Sequence, residues 1–290
     1  EGKITPQSES SMLVPESLAV RWSGGPLLDM GCGRGIKTGQ LADIRREAQI
    51  EAWDLSEPRV KSAKFEMMRM RAEDRVKFKV GDALTLEPDT QPETILLDAP
   101  CTGSGTWGRH PESKWRCAPE MVLEAADLQR KLLDKAAELV APGGMIAYST
   151  CSSFREENEK VVASVMARHP ELIELPVEHR GKYMTRGRPF GTVIWPGLPW
   201  IDGVCLAPLS TRQYRGGGLK EGGGGAFVSK VCRGWMVLGV FVSVVCGWVG
   251  IRTIFVEDTN ATVPAVTGMM NVRRDDALPS RGPLATMDTA

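Results

Sequence analysis

Two cysteines sit in settings that could support covalent chemistry: Cys101 in DAPCTGSGT and Cys151 in STCSS. Each closes an apolar run that reads as a buried strand, and each is followed by small residues that leave room for a ligand. A thiol becomes a strong nucleophile when it loses its proton, and a nearby cation favours that loss. Lys37, in the first turn of a predicted helix, could supply the cation, and Asp98 stands at the same strand end as Cys101. The plainer alternative is a small buried hydrophobe, which suits Cys117, Cys205, Cys232 and Cys246. The 7 cysteines include no C-x-x-C pair. Neither a zinc knuckle nor a disulfide framework is therefore expected, and reduced thiols in a cytoplasmic protein without a metal are.

A second constellation is DMGCGRGIKT, residues 29–38, in which Gly31, Cys32, Gly33, Arg34, Gly35, Ile36 and Lys37 link a strand to a helix. Such a loop lets a ligand approach the backbone and aims helix N-terminal amides at it. By itself it serves nicotinamide, flavin or S-adenosylmethionine, or is only a tight turn. Asp54 ends the next strand, where an acid accepts from ribose hydroxyls. Asp82 ends the third, placed for an adenine amino group. Acids on the first three strands fit S-adenosylmethionine better than a dinucleotide, and no Walker lysine pattern points to a triphosphate.

The elements that must position these residues follow from periodicity. Strands are predicted at 26–31, 50–55, 76–82, 93–100 and 145–152, and helices at 36–47, 57–71, 119–140 and 155–169. Strands spaced by helices predict a doubly wound α/β domain over 26 to about 176, with a parallel sheet covered on both faces. Ligands of such sheets lie beyond the carboxyl ends of the strands, which gathers Asp29, Asp54, Asp82, Asp98 and Cys151 into one site. His169 and His179 read as structural.

The chain has 290 residues, with Lys+Arg and Asp+Glu balanced at 36 each, so a basic surface for a polyanion has to be local. Residues 1–12 are polar and lack the apolar core of a signal peptide. The chain does not open on Met, which predicts a fragment or processed chain with a further domain upstream. GGGLKEGGGG, residues 216–225, reads as a flexible linker. Beyond it, 234–251 is uncharged and reaches the lower edge of a membrane-spanning length. An aberrant tail, a membrane segment and a packed strand stay open for that run. Membrane attachment is not expected, and a monomer is.

The set DMGCGRGIKT, WDLSE, GDA, DAPCTGSGT with GRHPESKW, APGG and YSTCS resembles the Sun/Fmu family of RNA cytosine-carbon-5 methyltransferases. The likeness is greatest to bacterial enzymes acting on 16S ribosomal RNA and covers residues 4–209. The family's first loop usually reads C-A-A-P-G-G-K, where this chain has residues 31–37 as quoted. The resemblance implies a Rossmann-like class I S-adenosylmethionine-dependent methyltransferase with a mostly parallel sheet. It implies a lead-in over 1–25, a catalytic domain over 26–209 and an atypical tail over 210–290. Residues 31–37 with Asp54, Asp82 and Asp98 would bind the cofactor. Cys151 would attack carbon 6 of cytosine, Cys101 would assist release, and Asp98 would hold the base edge. Such a base must leave its stack to be reached. Pro100 could pack on it, while Arg109, His110, Lys114, Trp115 and Arg116 form a basic-aromatic cluster suited to RNA, or a solvated loop. Ribosomal RNA is the expected substrate. An impaired RNA-binding ribosome-assembly module and a tRNA or DNA cytosine methyltransferase are the alternatives; DNA enzymes use a cysteine after proline, as at Pro100-Cys101.

Overall fold

A computed structural model describes residues 4–177, 184–185, 190–196, 201–211 and 270–272. The elements in chain order are β1 (Ile4–Pro6), α1 (Glu9–Ala19), β2 (Leu27–Met30), α2 (Ile36–Ile44), β3 (Ile50–Asp54), α3 (Glu57–Met70), β4 (Val76–Val80) and β5 (Thr94–Asp98). They continue with α4 (Glu112–Arg116), α5 (Pro119–Leu139), β6 (Met145–Thr150), α6 (Glu159–Arg168), β7 (Leu172–Glu174), β8 (Met184–Thr185), β9 (Thr192–Ile194), β10 (Val204–Thr211) and β11 (Met270–Val272).

The main sheet has the order β4-β3-β2-β5-β6-β10-β9-β8, with β7 also paired to β10. The neighbours from β4 to β6 pair in parallel, and β10 runs antiparallel to β6. Parallel strands are covered on both faces, so their runs are continuously apolar and adjacent residues enter opposite cores. Leu27 and Leu96 join one core with Leu41 of α2 and Met67 of α3, while Leu28 and Leu97 join the other with Leu133 of α5 and Val161 of α6. Along α5, Val122, Ala126, Gln129, Leu132, Leu133 and Ala136 form the inward stripe, and each buried leucine contributes about 1.5–3 kcal/mol. The chain leaves β2 toward β3 and β4, then returns to start β5 on the other flank of β2. That reversal opens a crevice between the ends of β2 and β5.

Three departures from the sequence expectation concern the site. The stretch 1–25 contains α1, which packs against α2. The last helix opens at Glu159 rather than 155, because Glu157 and Asn158 turn inward to bond the neighbouring loops. The sheet also extends past 176 through β10, whose Pro208 lacks the donor a central strand normally uses. β1 pairs antiparallel with β11 in a separate two-stranded sheet. The linker at 216–225, the apolar run at 234–251, His179, Cys232 and Cys246 lie outside the described residues. Among the described residues, no helix is long and apolar enough to cross a membrane.

Candidate active site

A cleft of about 420 Å³ opens at the reversal point, walled by Asp29, residues 31–34, Ile36, Lys37, Asp98, Arg109, Cys151 and Asp202. The glycine loop is stapled to the end of β3: Gly31 and Cys32 donate their amides to Trp53 O at 2.9 and 2.8 Å. Gly33 N donates to Asp54 Oδ2 at 2.9 Å, and Ser56 N to Asp54 Oδ1 at 2.8 Å. Gly35, the residue before α2, has φ 79°, and an added Cβ would lie 2.9 Å from Ala63 Cβ. Only glycine meets both demands, so the close approach of loop to α3 depends on it.

Lys37 reaches from the first turn of α2 to Asp98 at the end of β5, Nζ to Oδ2 at 2.6 Å, and Ser149 Oγ donates to Asp98 Oδ1 at 2.8 Å. Burial works against the lysine charge, but the charge and hydrogen bond of Asp98, with the charges of Cys151 and Asp29, together outweigh it and raise the Lys37 pKa. Cys101 and Cys151 bring their sulfurs to 3.2 Å. The hydrogen bond between them lowers the Cys151 pKa, with help from Lys37 against burial and Asp98. The same bond, then burial, raises the Cys101 pKa, so Cys151 is the sulfur that ionises first and, as a thiolate, accepts from the Cys101 thiol. Cys32 also lines the cleft, but burial and the charges of Asp29 and Asp54 push its thiol up and leave it unreactive.

Other expected residues lie elsewhere. Asp54 is buried beneath the loop, and Asp82 is exposed beyond β4 with Oδ1 accepting Leu84 N; neither is in the cleft wall. Arg109 separates from the basic cluster: Nε and Nη2 bond the two oxygens of Asp202 at 2.7 and 2.5 Å, inside the wall. Pro100, His110, Lys114, Trp115 and Arg116 are exposed, with Trp115 at 86%. His110 Nδ1 lies 3.8 Å from Glu112 Oε1. Among the described residues no group of His, Cys, Asp or Glu is arranged to hold a metal.

Asp202, Glu157, Asn158 and the cleft-lining Gln7 were not picked out by residue type. Glu157 and Asn158 sit in a charged run that reads as a helix exterior, and the signal that could have found them is their closeness in sequence to Cys151.

The sheet order, the glycine loop at its reversal point and the acids beyond the strands define a class I S-adenosylmethionine-dependent methyltransferase fold. Residues 20–210 match the family described as 16S rRNA methyltransferase RsmB/F, and the chain belongs to that family. It is 35% identical over 206 residues to "Ribosomal RNA small subunit methyltransferase B" of Thermus thermophilus, covering 71% of this chain and 50% of the relative. The chain thus spans about half the length of that protein. Among solved structures it resembles PH0851, at TM-score 0.67 and 35% identity, over 72% of this chain and 47% of that one. NSun6 from Pyrococcus horikoshii, solved with SFG, shares the fold at TM-score 0.63 and 24% identity, over 71% of this chain and 53% of that one.

S-adenosylmethionine is the cofactor of the family. The residues here fit it: Asp29 Oδ1 is buried without a protein partner in the cleft wall, a deficit that a polar group of a bound ligand would satisfy.

Proposed function

We propose that this chain methylates carbon 5 of a cytosine in ribosomal RNA through a covalent bond between Cys151 and carbon 6. The observation that carries this reading is the pair of sulfurs at 3.2 Å, with Cys151 pKa lowered and Cys101 pKa raised, beside the Lys37–Asp98 pair. Carbon 5 of cytosine is a weak nucleophile. Thiolate addition at carbon 6 makes it enamine-like. S-adenosylmethionine supplies an electrophilic methyl group on a sulfonium. Asp98 accepts from the exocyclic amino group and orients the ring while Cys151 adds. After transfer, a base takes the carbon-5 proton, the C–H pair restores the 5,6 double bond, and Cys151 leaves as thiolate. The Cys101 thiol, its sulfur 3.2 Å from that of Cys151, donates its S–H to stabilise the leaving charge.

The ribosomal substrate rests on the family and on the name of the Thermus relative. The exposed Lys114, Trp115 and Arg116 suit an RNA strand, and Pro100 an extruded base. A reducing cytoplasm is the compartment this chemistry requires.

Each cysteine has a separable role, which gives the test. Cys151→Ala should abolish methyl transfer and any covalent RNA adduct. Cys101→Ala should still attack and methylate, but release slows, so a protein–RNA band should accumulate on denaturing gels. An adduct from Cys151→Ala with none from Cys101→Ala would instead assign attack to the proline-following cysteine. No adduct and no wild-type turnover would support the impaired RNA-binding module.

A further inference from the structure

Glu157 is fully buried beneath the two cysteine loops, although nothing in the transfer chemistry touches it. Its Oε1 accepts Thr102 N at 2.8 Å and Gln129 Nε2 at 3.1 Å, and its Oε2 accepts Thr102 Oγ1 at 2.6 Å and Ser152 Oγ at 2.5 Å. Thr102 follows Cys101 and Ser152 follows Cys151, so one carboxylate holds the residue next to each sulfur. The supports around it reinforce that bridge. Gln129 also donates to Pro100 O at 2.8 Å, and Asn158 holds Thr150 Oγ1 and Ser152 O at 2.5 and 2.9 Å.

Resting on the two-cysteine reading above, we propose that Glu157 is a positioning residue for the reaction: its carboxylate locks the Cys101 loop to the Cys151 loop and sets a negative charge near Cys101, which adds to the preference for Cys151 as the attacking sulfur. A buried carboxylate is costly unless its lone pairs are filled, and four donors fill these. The charge acts unequally on the two thiols. After the Cys151 hydrogen bond, burial and the Cys151 charge, Glu157 adds to the forces that keep the proton on Cys101. An uncharged bridge of the same shape would hold the sulfurs together and leave their distinction to the bond between them and to Lys37.

Glu157→Gln makes that separation, because an amide oxygen can accept Thr102 N and Gln129 while its NH2 donates to the Thr102 and Ser152 hydroxyls, which rotate to accept. The measurement is the pH dependence of iodoacetamide labelling at each cysteine, resolved by peptide mass spectrometry, alongside steady-state methylation of RNA. In the wild type Cys151 should label at lower pH than Cys101. In Glu157→Gln the Cys101 midpoint should fall by ~1 pH unit, the size of shift a nearby charge produces, and narrow the gap. For methylation, kcat should fall roughly 10–100-fold with KM for RNA unchanged, the loss expected when catalytic groups are misplaced. Glu157→Asp keeps the charge while shortening the bridge, so it should keep the gap and lower kcat. It also carries the test if Glu157→Gln fails to fold: a gap lost in Glu157→Asp would overturn the charge assignment. An unchanged gap in a folded Glu157→Gln would overturn it equally. A narrowed gap without an adduct from Cys101→Ala would defeat only the cytosine reading. An unchanged gap with that adduct would defeat only the role of Glu157.

Discussion

Asp29 sits within β2 with Oδ2 accepting Thr38 Oγ1 at 2.6 Å and Oδ1 unpartnered. Burial raises its pKa to about 7; the Thr38 bond opposes this and the Asp98 charge adds to it. The folded state therefore keeps a proton that the unfolded chain gives up near pH ~4. Stability is fully present below that value and falls as pH rises toward 7, by at most ~4 kcal/mol. Asp29→Asn should remove this decline, so denaturant unfolding at pH 4.5 and 8 should show wild type losing about 2–4 kcal/mol relative to the variant. Parallel pH profiles for the two proteins would refute the neutral carboxyl. Asp54 serves differently, since both its oxygens already accept backbone amides from Gly33 and Ser56. Each oxygen retains a second acceptor site for a ribose diol. Asp54→Ala should weaken S-adenosylmethionine binding by roughly 2–4 kcal/mol in calorimetry, through lost hydrogen bonds and a loosened loop. Unchanged affinity would remove Asp54 from the cofactor site.

At the scale of elements, the two cysteine loops and the segment entering β10 meet at Gly105. Gly105 N donates to Cys151 O at 2.9 Å, and Gly203 N donates to Gly105 O at 2.8 Å. A Cβ there would stand 2.3 Å from Gly203 O and 2.8 Å from Cys151 O, and backbone cannot swing aside as a flexible side chain can. Gly105→Ala should lower stability by about 1–3 kcal/mol in denaturant unfolding and cut methylation more than ~10-fold, as the Cys151 loop is pushed away. Full activity would show that the loops tolerate separation. The parallel strands were legible because two-sided burial writes them as apolar runs such as ILLD, and α5 because its stripe repeats at helical spacing. β10 was partly hidden by Pro208, and α1 by its Pro15 within an otherwise helical stretch. Spacing alone put Asp98 and the two thiols at neighbouring strand ends, whereas Asp54 and Asp82, expected beside them, fall outside the cleft wall. The Glu157 bridge could not be read this way, since three of its four donors come from Thr102 and Gln129, 55 and 28 residues away, and charge patterning assigns such a glutamate to solvent. The pairing of Arg109 with Asp202 was hidden for a related reason, since the two lie 93 residues apart.

For the whole molecule, Lys+Arg and Asp+Glu cancel at 36 each, so no net field draws the chain to RNA and its salt dependence must come from few local contacts. Arg109 is a poor candidate for a phosphate contact because its guanidinium is already bonded to both oxygens of Asp202. Lys114 and Arg116 are exposed on α4 beside Trp115, where a single strand could set phosphates against the cations and stack a base on the indole. Replacing Lys114 and Arg116 together with Gln should flatten the log–log salt slope of RNA binding by ~1.4, at ~0.7 per single-strand contact. Adding Arg109→Gln should change the slope by well under a further ~0.7, because it removes an internal ion pair rather than a phosphate contact. Fluorescence anisotropy with a labelled ribosomal RNA fragment at several salt concentrations reads both values. A slope that moves only when Arg109 is changed would transfer RNA contact from α4 to the cleft wall, with Asp202 as the group the phosphate displaces.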